Sequence, residues 1–580
     1  MAIARSVRFI LLFMIAAVIV SMTGVAISYF LLTRGPAVES DSVLWLRVPA
    51  NLGEQSPDDV FGFLDQRATV GSVVTALRKA KVDDRVTAVV VVPPPAPVLW
   101  GTVQEIRDAI VDFKESGKPV VAHVEFGMGQ AYYLATACDE IFMSPTSPLM
   151  LVGVASYELF FRGTLDKVGI EADMLAAGDY KTAINTYTES AFTPEHREAT
   201  EALSRDFYEQ LVDGIAEGRG LTRARVREVI DQGPFVPSDA VNLGLVDGLA
   251  YEDELLDRLS SDEESGLLDF ATYRRVEPES LGLDTGPRIA VVYAEGMINF
   301  GSSTPDFPGS ARMVGSGTMT EAIRDARDDP SIEAIVLRVD SPGGAATAAD
   351  IIWRELSLAR ERKPLVVSMG DVAASGGYYI AAPAHAIVAQ PGTLTGSIGV
   401  FSGKFAAAGA FDKLGVGVDG VTFGAQSDIF SPVDRFSDAA RTAMQAQVDD
   451  IYERFLEVVA EGRAMSRDEV HAVAQGRVWT GRQALVRGLV DELGGLRRAV
   501  VLAQVRAGID AGREVRLVPY PGSRSLVEVL TGAVSVRAPG AQVDWLQSPY
   551  AHVAHQRWAQ MQLVGQGAPL ALMPGVALGR

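Results

Sequence analysis

The chain has 580 residues, 48% of them apolar and 22% charged, and carries a formal charge of −21. That length exceeds what one core sustains, so two or more domains are expected, and the apolar content excludes general disorder. The acidic balance excludes a nucleic-acid partner, which needs a basic face, and the single cysteine, Cys138, excludes an intrachain disulfide or a thiolate metal cluster, so no metal or cofactor is expected.

From Phe9 to Thr33 there are about 25 residues without a charge, enough to cross a hydrocarbon core with some tilt. The stretch is longer than the apolar part of a cleaved export signal. Arg5 and Arg8 precede it, and Glu39 and Asp41 follow it. The positive-inside rule therefore puts the N-terminus in the cytoplasm, and the body on the periplasmic or extracellular side of the inner (cytoplasmic) membrane. Residues 1–36 are read as a single-pass anchor; a long cleaved secretion signal is the alternative, and it exports the body equally.

Beyond the anchor the chain contains itself twice. Tyr132 and Tyr133 recur as Tyr378 and Tyr379, and Asp166-Lys167-Val168-Gly169 recurs as Asp412-Lys413-Leu414-Gly415, each 246 residues on. Pro145 and Pro391, and Gly178 and Gly424, keep that separation. Glu217-Gly218-Arg219 and Gly244-Leu245-Val246-Asp247 recur 244 residues on. The reading is two homologous domains, 42–257 and 287–506, joined by a linker, 258–286, and followed by an extension, 507–580. The last part of that extension, from Gly522, has no readable periodicity.

Within each copy, short β-branched runs alternate with helical stretches. In the second copy Ala334 to Val339 reads as a buried strand, Ala346 to Arg360 as a helix, Leu365 to Met369 as a strand, and Ser437 to Glu461 as a long helix. The fold class is therefore α/β with two tandem domains and largely parallel sheets.

The first strand of this series runs into Asp340-Ser341-Pro342-Gly343-Gly344, where a glycine pair lets backbone N–H groups face a ligand. The next leads into Ala373-Ala374-Ser375-Gly376-Gly377. Ser375 stands at a strand-to-helix turn, where free N–H donors and the helix dipole favour an oxyanion. It is a candidate nucleophile, with Gly376 and either Gly343 or Gly344 as oxyanion donors; from the local motif alone a helix cap serves equally well. None of the six histidines has a partner pattern that makes it the base. The other candidate is a lysine neutralised by burial.

The repeat points to which lysine. In the first copy Ser375 corresponds to Gly129, and the glycine pair corresponds to the run Pro93-Pro94-Pro95. The first copy has instead Gly178-Asp179-Tyr180-Lys181, where the second has Gly424-Ala425-Gln426-Ser427. Each copy keeps what the other lost, so Lys181 is the expected general base.

With Thr395-Gly396-Ser397-Ile398-Gly399 added, these motifs resemble bacterial signal peptide peptidase A in its tandem-repeat form, from the anchor to about Arg506. The resemblance implies a serine endopeptidase with a Ser375/Lys181 dyad, and Ser397 as a second serine that hydrogen-bonds the lysine. It also implies a fold related to Clp protease and the crotonases, a homotetramer at the membrane, and remnant signal peptides or other apolar peptides as substrates, cut without ATP. Two rival readings are a crotonase-like acyl-CoA enzyme, with Asp340 and Asp371 as its carboxylates, and a non-enzymatic membrane scaffold whose first copy has decayed.

Overall fold

The structure, a computed structural model, describes residues 36–55, 67–96, 98–260, 266–303, 312–521 and 570–573, together with Ser21, Thr23 and Gly24. The expected anchor lies almost wholly outside the described residues, as does most of the chain after Pro521. Among the described residues no helix is long and apolar enough to cross a membrane.

The first copy is built on a six-stranded, all-parallel sheet in the order Gly248–Leu249, Glu140–Met143, Val120–Val124, Val86–Val92, Ser42–Arg47, Leu267–Asp269, the last strand coming from the segment read as a linker, 258–286. Its centre is the valine run Val86–Val92, which is buried along nearly its whole length, as a strand covered on both faces must be. In the second copy Arg288–Glu295, Ile332–Ser341 and Leu365–Ala374 form the parallel centre. Leu365–Ala374 then forks: its first half pairs with Ala386–Ala389 and its second half with Leu394–Gly396. The fork pries the sheet open where the strand ends, just before Ser375.

The sequence-predicted helix from Ala346 to Arg360 is present with those bounds, and the expected long helix runs over Asp438–Arg463. Its counterpart is Pro194–Arg219, also 26 residues. Side chains of Thr193 and Ser437 cap their respective N-termini. In the first copy a helix spans Gly129–Ala135, and Cys138 is buried just beyond it.

The two copies share their interior. Ala374, Leu394 and Val478 of the second copy belong to the apolar cluster that fills the first. Beside them lies a buried ionic knot: Arg338, 1% exposed, holds Glu54 through two hydrogen bonds of 2.9 and 2.7 Å and Glu105 through one of 2.6 Å. Sequence reasoning passed over this group, although an arginine inside the apolar run 334–339 was its signal.

The expectation of largely parallel sheets holds for these two sheets but fails at a third, which the two copies build together. Its order is Met313–Gly315, Met297–Asn299, Gly343–Ala345, Leu570–Leu572, Val400–Ala406, Glu171–Ala177. Glu171–Ala177 of the first copy pairs antiparallel with Val400–Ala406 of the second along its full length. An antiparallel pair formed across two copies leaves no mark in the pattern of either one.

Candidate active site

Leu365–Ala374 ends at Ser375 and a helix starts at Gly376. Ser375 has φ of 54° and ψ of −115°, a conformation that costs a non-glycine residue about 1–3 kcal/mol. Neighbours hold it there: its N–H donates to Gly396 O at 2.7 Å, and its carbonyl accepts from Tyr379 N–H at 2.8 Å. Gly377 has to be glycine, because a Cβ would stand 2.6 Å from Ser341 O. The hydroxyl does not cap the helix, so the capping alternative fails. Instead Ser375 Oγ, fully buried, lies 2.7 Å from Lys181 Nζ.

Lys181 arrives from the other copy. After Glu171–Ala177 the chain turns at Gly178, whose φ is +100° and where a Cβ would meet Gln475 at 2.4 Å. Tyr180 N–H donates to Gln475 O at 2.8 Å, and a Cβ at Gly476 would strike Lys181 Cα at 2.5 Å. The lysine turn is thus keyed into a turn of the second copy. Nζ also lies 2.9 Å from Ser397 O and 3.0 Å from Ser397 Oγ.

Lys181 is 2% exposed, and no carboxylate is among these partners. Burial alone pushes its ammonium well below the ordinary lysine range. Lys79 offers a contrast: it too is shielded from solvent, but its Nζ donates to the carbonyls of Tyr273, Arg274 and Val276, and its pKa is lowered to about 8, burial being the largest cause. The carboxylates of Glu277 and Asp83 offset part of that burial at Lys79, whereas Lys181 has no such charge beside it.

The expected oxyanion donors border the same place. Gly376 opens a helix, so its N–H has no intrahelical acceptor. Gly343 has φ of +101°, and its N–H points to Ser341 Oγ at 3.2 Å. Gly344 cannot carry a side chain, since a Cβ would stand 2.0 Å from Ile298 O.

Between Gly343–Ala345 and Val400–Ala406 there is a gap one strand wide. It is filled by the chain's own Leu570–Leu572, antiparallel to both, with Met573 N–H donating to Pro342 O at 2.8 Å. Leu570 is fully buried in a cluster with Met174, Ala183, Met297 and Phe401. The unreadable tail therefore contributes a strand to the site, which composition and periodicity gave no means of finding.

The other candidates fall elsewhere. Leu365 N–H donates to His385 Nδ1 at 3.1 Å, His123 faces Ala250 O, His196 pairs with Glu158, and His471 faces the Tyr452 hydroxyl. His552 and His555 lie outside the described residues. Asp371 accepts from the Thr102 N–H and hydroxyl at 2.7 and 2.6 Å, and Asp340 accepts from Val372 N–H at 2.9 Å. Burial pushes Asp371 up to about 6, and burial together with Asp371 pushes Asp340 well above the usual carboxylate range. Both carboxylates are engaged in holding the strand ends and the junction of the copies, which weakens the acyl-CoA reading.

Ser375, Lys181 and Ser397 are thus brought together within one chain. The interface between the two copies makes this meeting without a second chain.

The Peptidase family S49 profile matches residues 112–265 and 357–510, one match in each copy. The chain is 35% identical to the chloroplastic serine protease SPPA of Arabidopsis thaliana over 78% of its own length and 68% of that protein's. It is 33% identical to Protease 4 of Salmonella typhi over 84% of its own length and 80% of that protein's, and 34% identical to Protease 4 of Haemophilus influenzae over 69% and 66%. With the profile found twice and such relatives along most of the chain, this protein belongs to Peptidase family S49, as a tandem-repeat serine peptidase of the signal peptide peptidase A kind.

Proposed function

We propose that the chain is a membrane-anchored endopeptidase in which Ser375 is the nucleophile and Lys181, from the first copy, the general base. The observation that carries this is the 2.7 Å approach of Lys181 Nζ to Ser375 Oγ, with both side chains buried. Neutral Lys181 takes the hydroxyl proton as Ser375 attacks a peptide carbonyl. N–H groups of Gly376 and of Gly343 or Gly344 receive the oxyanion, and Lys181 then protonates the leaving amine. Water deacylates the serine through the same base. Ser397, φ 51°, holds the amine in line. In this reading residues 42–257 supply the base and residues 287–506 the nucleophile, on a scaffold of the Clp protease and crotonase kind.

The slot between Gly343–Ala345 and Val400–Ala406 supports a peptide substrate bound as an added strand, since neighbouring strands lie about 4.8 Å apart and this gap admits one. The apolar surroundings of Leu570 favour apolar side chains, as remnant signal peptides would present. Residues 1–36 would anchor the enzyme, with the catalytic body outside the cytoplasm, and the resemblance implies a homotetramer. The test is cleavage of an apolar peptide by detergent-solubilised enzyme, with Ser375→Ala and Lys181→Ala as comparisons. Loss of turnover in each, at unchanged melting temperature, supports the dyad; near-normal turnover in Lys181→Ala places the base elsewhere.

A further inference from the structure

The strand that ends at Ser375 is bent before it gets there. Val339 faces Met369 in the ladder and Ser341 faces Ala373, so the single residue Asp340 stands opposite Gly370, Asp371 and Val372. This bulge is the vertex of the fork, where Leu365–Ala374 leaves Ala386–Ala389 for Leu394–Gly396. Asp340 makes up for the interrupted ladder by accepting from Val372 N–H at 2.9 Å. Asp371 reaches the first copy instead: Oδ1 accepts from Thr102 N–H at 2.7 Å and Oδ2 from the Thr102 hydroxyl at 2.6 Å.

Thr102 stands in the first turn of the helix Trp100–Lys114, and the residue before that helix, Leu99, offers its free N–H groups no side-chain acceptor. Asp371 supplies the acceptor from the other copy, and the positive end of the helix favours its charge. The turn is seated in the fork on both sides. A Cβ on Gly101 would stand 2.8 Å from Gly370 O and 2.9 Å from Asp371 Oδ1. On the other side Gln104 Oε1 accepts from Gly392 N–H at 2.6 Å, and a Cβ on Gly392 would stand 2.6 Å from Trp100 Cβ. Gln104 Nε2 donates to Gln210 Oε1, and Gln210 Nε2 donates to Pro391 O at 3.1 Å. Pro391 and Gly392 form the turn that leads into Leu394–Gly396, whose last carbonyl accepts from Ser375 N–H.

The repeat sets these residues apart. Ala346–Arg360 is the counterpart of Trp100–Lys114, at the 246 spacing and with the same 15 residues, and it has Ala348 for Thr102 and Asp350 for Gln104. At the bulge, Asp371 corresponds to Glu125, which is exposed and pairs with Arg47. Thr102 and Gln104, both buried, are therefore residues that the first copy has and the second lacks, as Lys181 is. Each of them ends on one of the two strands that meet at Ser375.

We propose that Thr102 and Gln104 are positioning residues for the nucleophile, by which the first copy sets the two strands around Ser375, through Asp371 on one and Gly392 on the other. The inference rests on the reading of Ser375 as nucleophile. Its positive φ persists only while its neighbours hold it, so a slack fork lets the hydroxyl leave the line of Lys181 Nζ.

The experiment pairs peptide-cleavage kinetics with hydrogen exchange read by mass spectrometry, on detergent-solubilised full-length protein. Thr102→Val keeps the shape and removes the hydroxyl donor, and Gln104→Leu acts on the other side of the fork. Each is expected to lower kcat about 10- to 100-fold with KM within about 2-fold of wild type. Exchange in peptides covering residues 370–380 and 390–397 should speed up about 10-fold, while peptides covering Val120–Val124 keep the wild-type rate. Thr102→Ser, which restores the hydroxyl, should return both readouts to within about 3-fold of wild type. Wild-type kcat in Thr102→Val and Gln104→Leu, a loss that falls on KM, faster exchange across the whole chain, or a Thr102→Ser variant as slow as Thr102→Val would overturn the proposal. Ser375→Ala is run beside them: if it cleaves as wild type does, the nucleophile reading has failed, and the exchange pattern alone decides whether the first copy sets this turn.

Discussion

The turn Gly178–Lys181 and its counterpart Gly424–Ser427 begin alike: Gly178 has φ of +100° and Gly424 of +104°. Their surroundings differ completely. The first is clamped against Gln475 and Gly476 and its last residue is buried, whereas the second stands in solvent. Geometry of the turn is therefore not what makes a base. Burial is, because it removes water from the ammonium and supplies no carboxylate in return. The same contrast separates the two strand-to-helix turns: Gly129 and Ser375 occupy equivalent places, but only the second faces an amine.

The largest expected effect breaks the contrast at its chemical centre. Ser375→Ala and Lys181→Ala should each lower kcat by about 10⁴-fold or more, and the double variant should be scarcely worse, since groups that act as a unit are not additive. Lys181→Arg should be as inactive as the alanine variant, because a guanidinium does not surrender its proton. Steady-state rates on one peptide check all four.

Ser397→Ala is expected to be milder, about 10- to 100-fold in kcat, with little change in KM. It removes one of the amine's contacts and leaves the Ser397 carbonyl in place. A purely structural role for Ser397 would lower the melting temperature instead of shifting the pH profile.

Ending the chain at residue 569 should sharpen the account of the slot. If Leu570–Leu572 occupies the place of a peptide, its removal should lower KM for an added peptide a few-fold and leave kcat nearly unchanged. The smallest effect is expected from Ser427→Lys, which restores the lysine of the first copy at the exposed turn. It should titrate as an ordinary surface lysine and change neither activity nor stability beyond about 0.5 kcal/mol.

Much of this site was legible in the chain because a repeat provides its own control. Ser375 and Lys181 stood out where one copy departs from the other, Ser397 came only from the family resemblance, and Ala346–Arg360 was readable because its apolar spacing is helical throughout. What could not be read depends on contacts between the copies. The antiparallel pairing of Glu171–Ala177 with Val400–Ala406 is chosen by packing, the knot of Arg338 joins residues as far apart in sequence as Glu54, and Leu570–Leu572 is too short to announce itself by periodicity.

The central claim, that a lysine of one copy neutralised by burial activates a serine of the other, is tested most directly by labelling Ser375 with a fluorophosphonate across pH and reading adduct formation by mass spectrometry. A depressed lysine pKa means that the neutral base is present above that value and lost as pH falls through it. Wild type should therefore label with a rate that rises well below the ordinary lysine value of 10.5 and then levels, and Lys181→Ala should label at least about 10³-fold more slowly. Labelling of Lys181→Ala at the wild-type rate, or a wild-type rate that climbs only near 10.5, would contradict it.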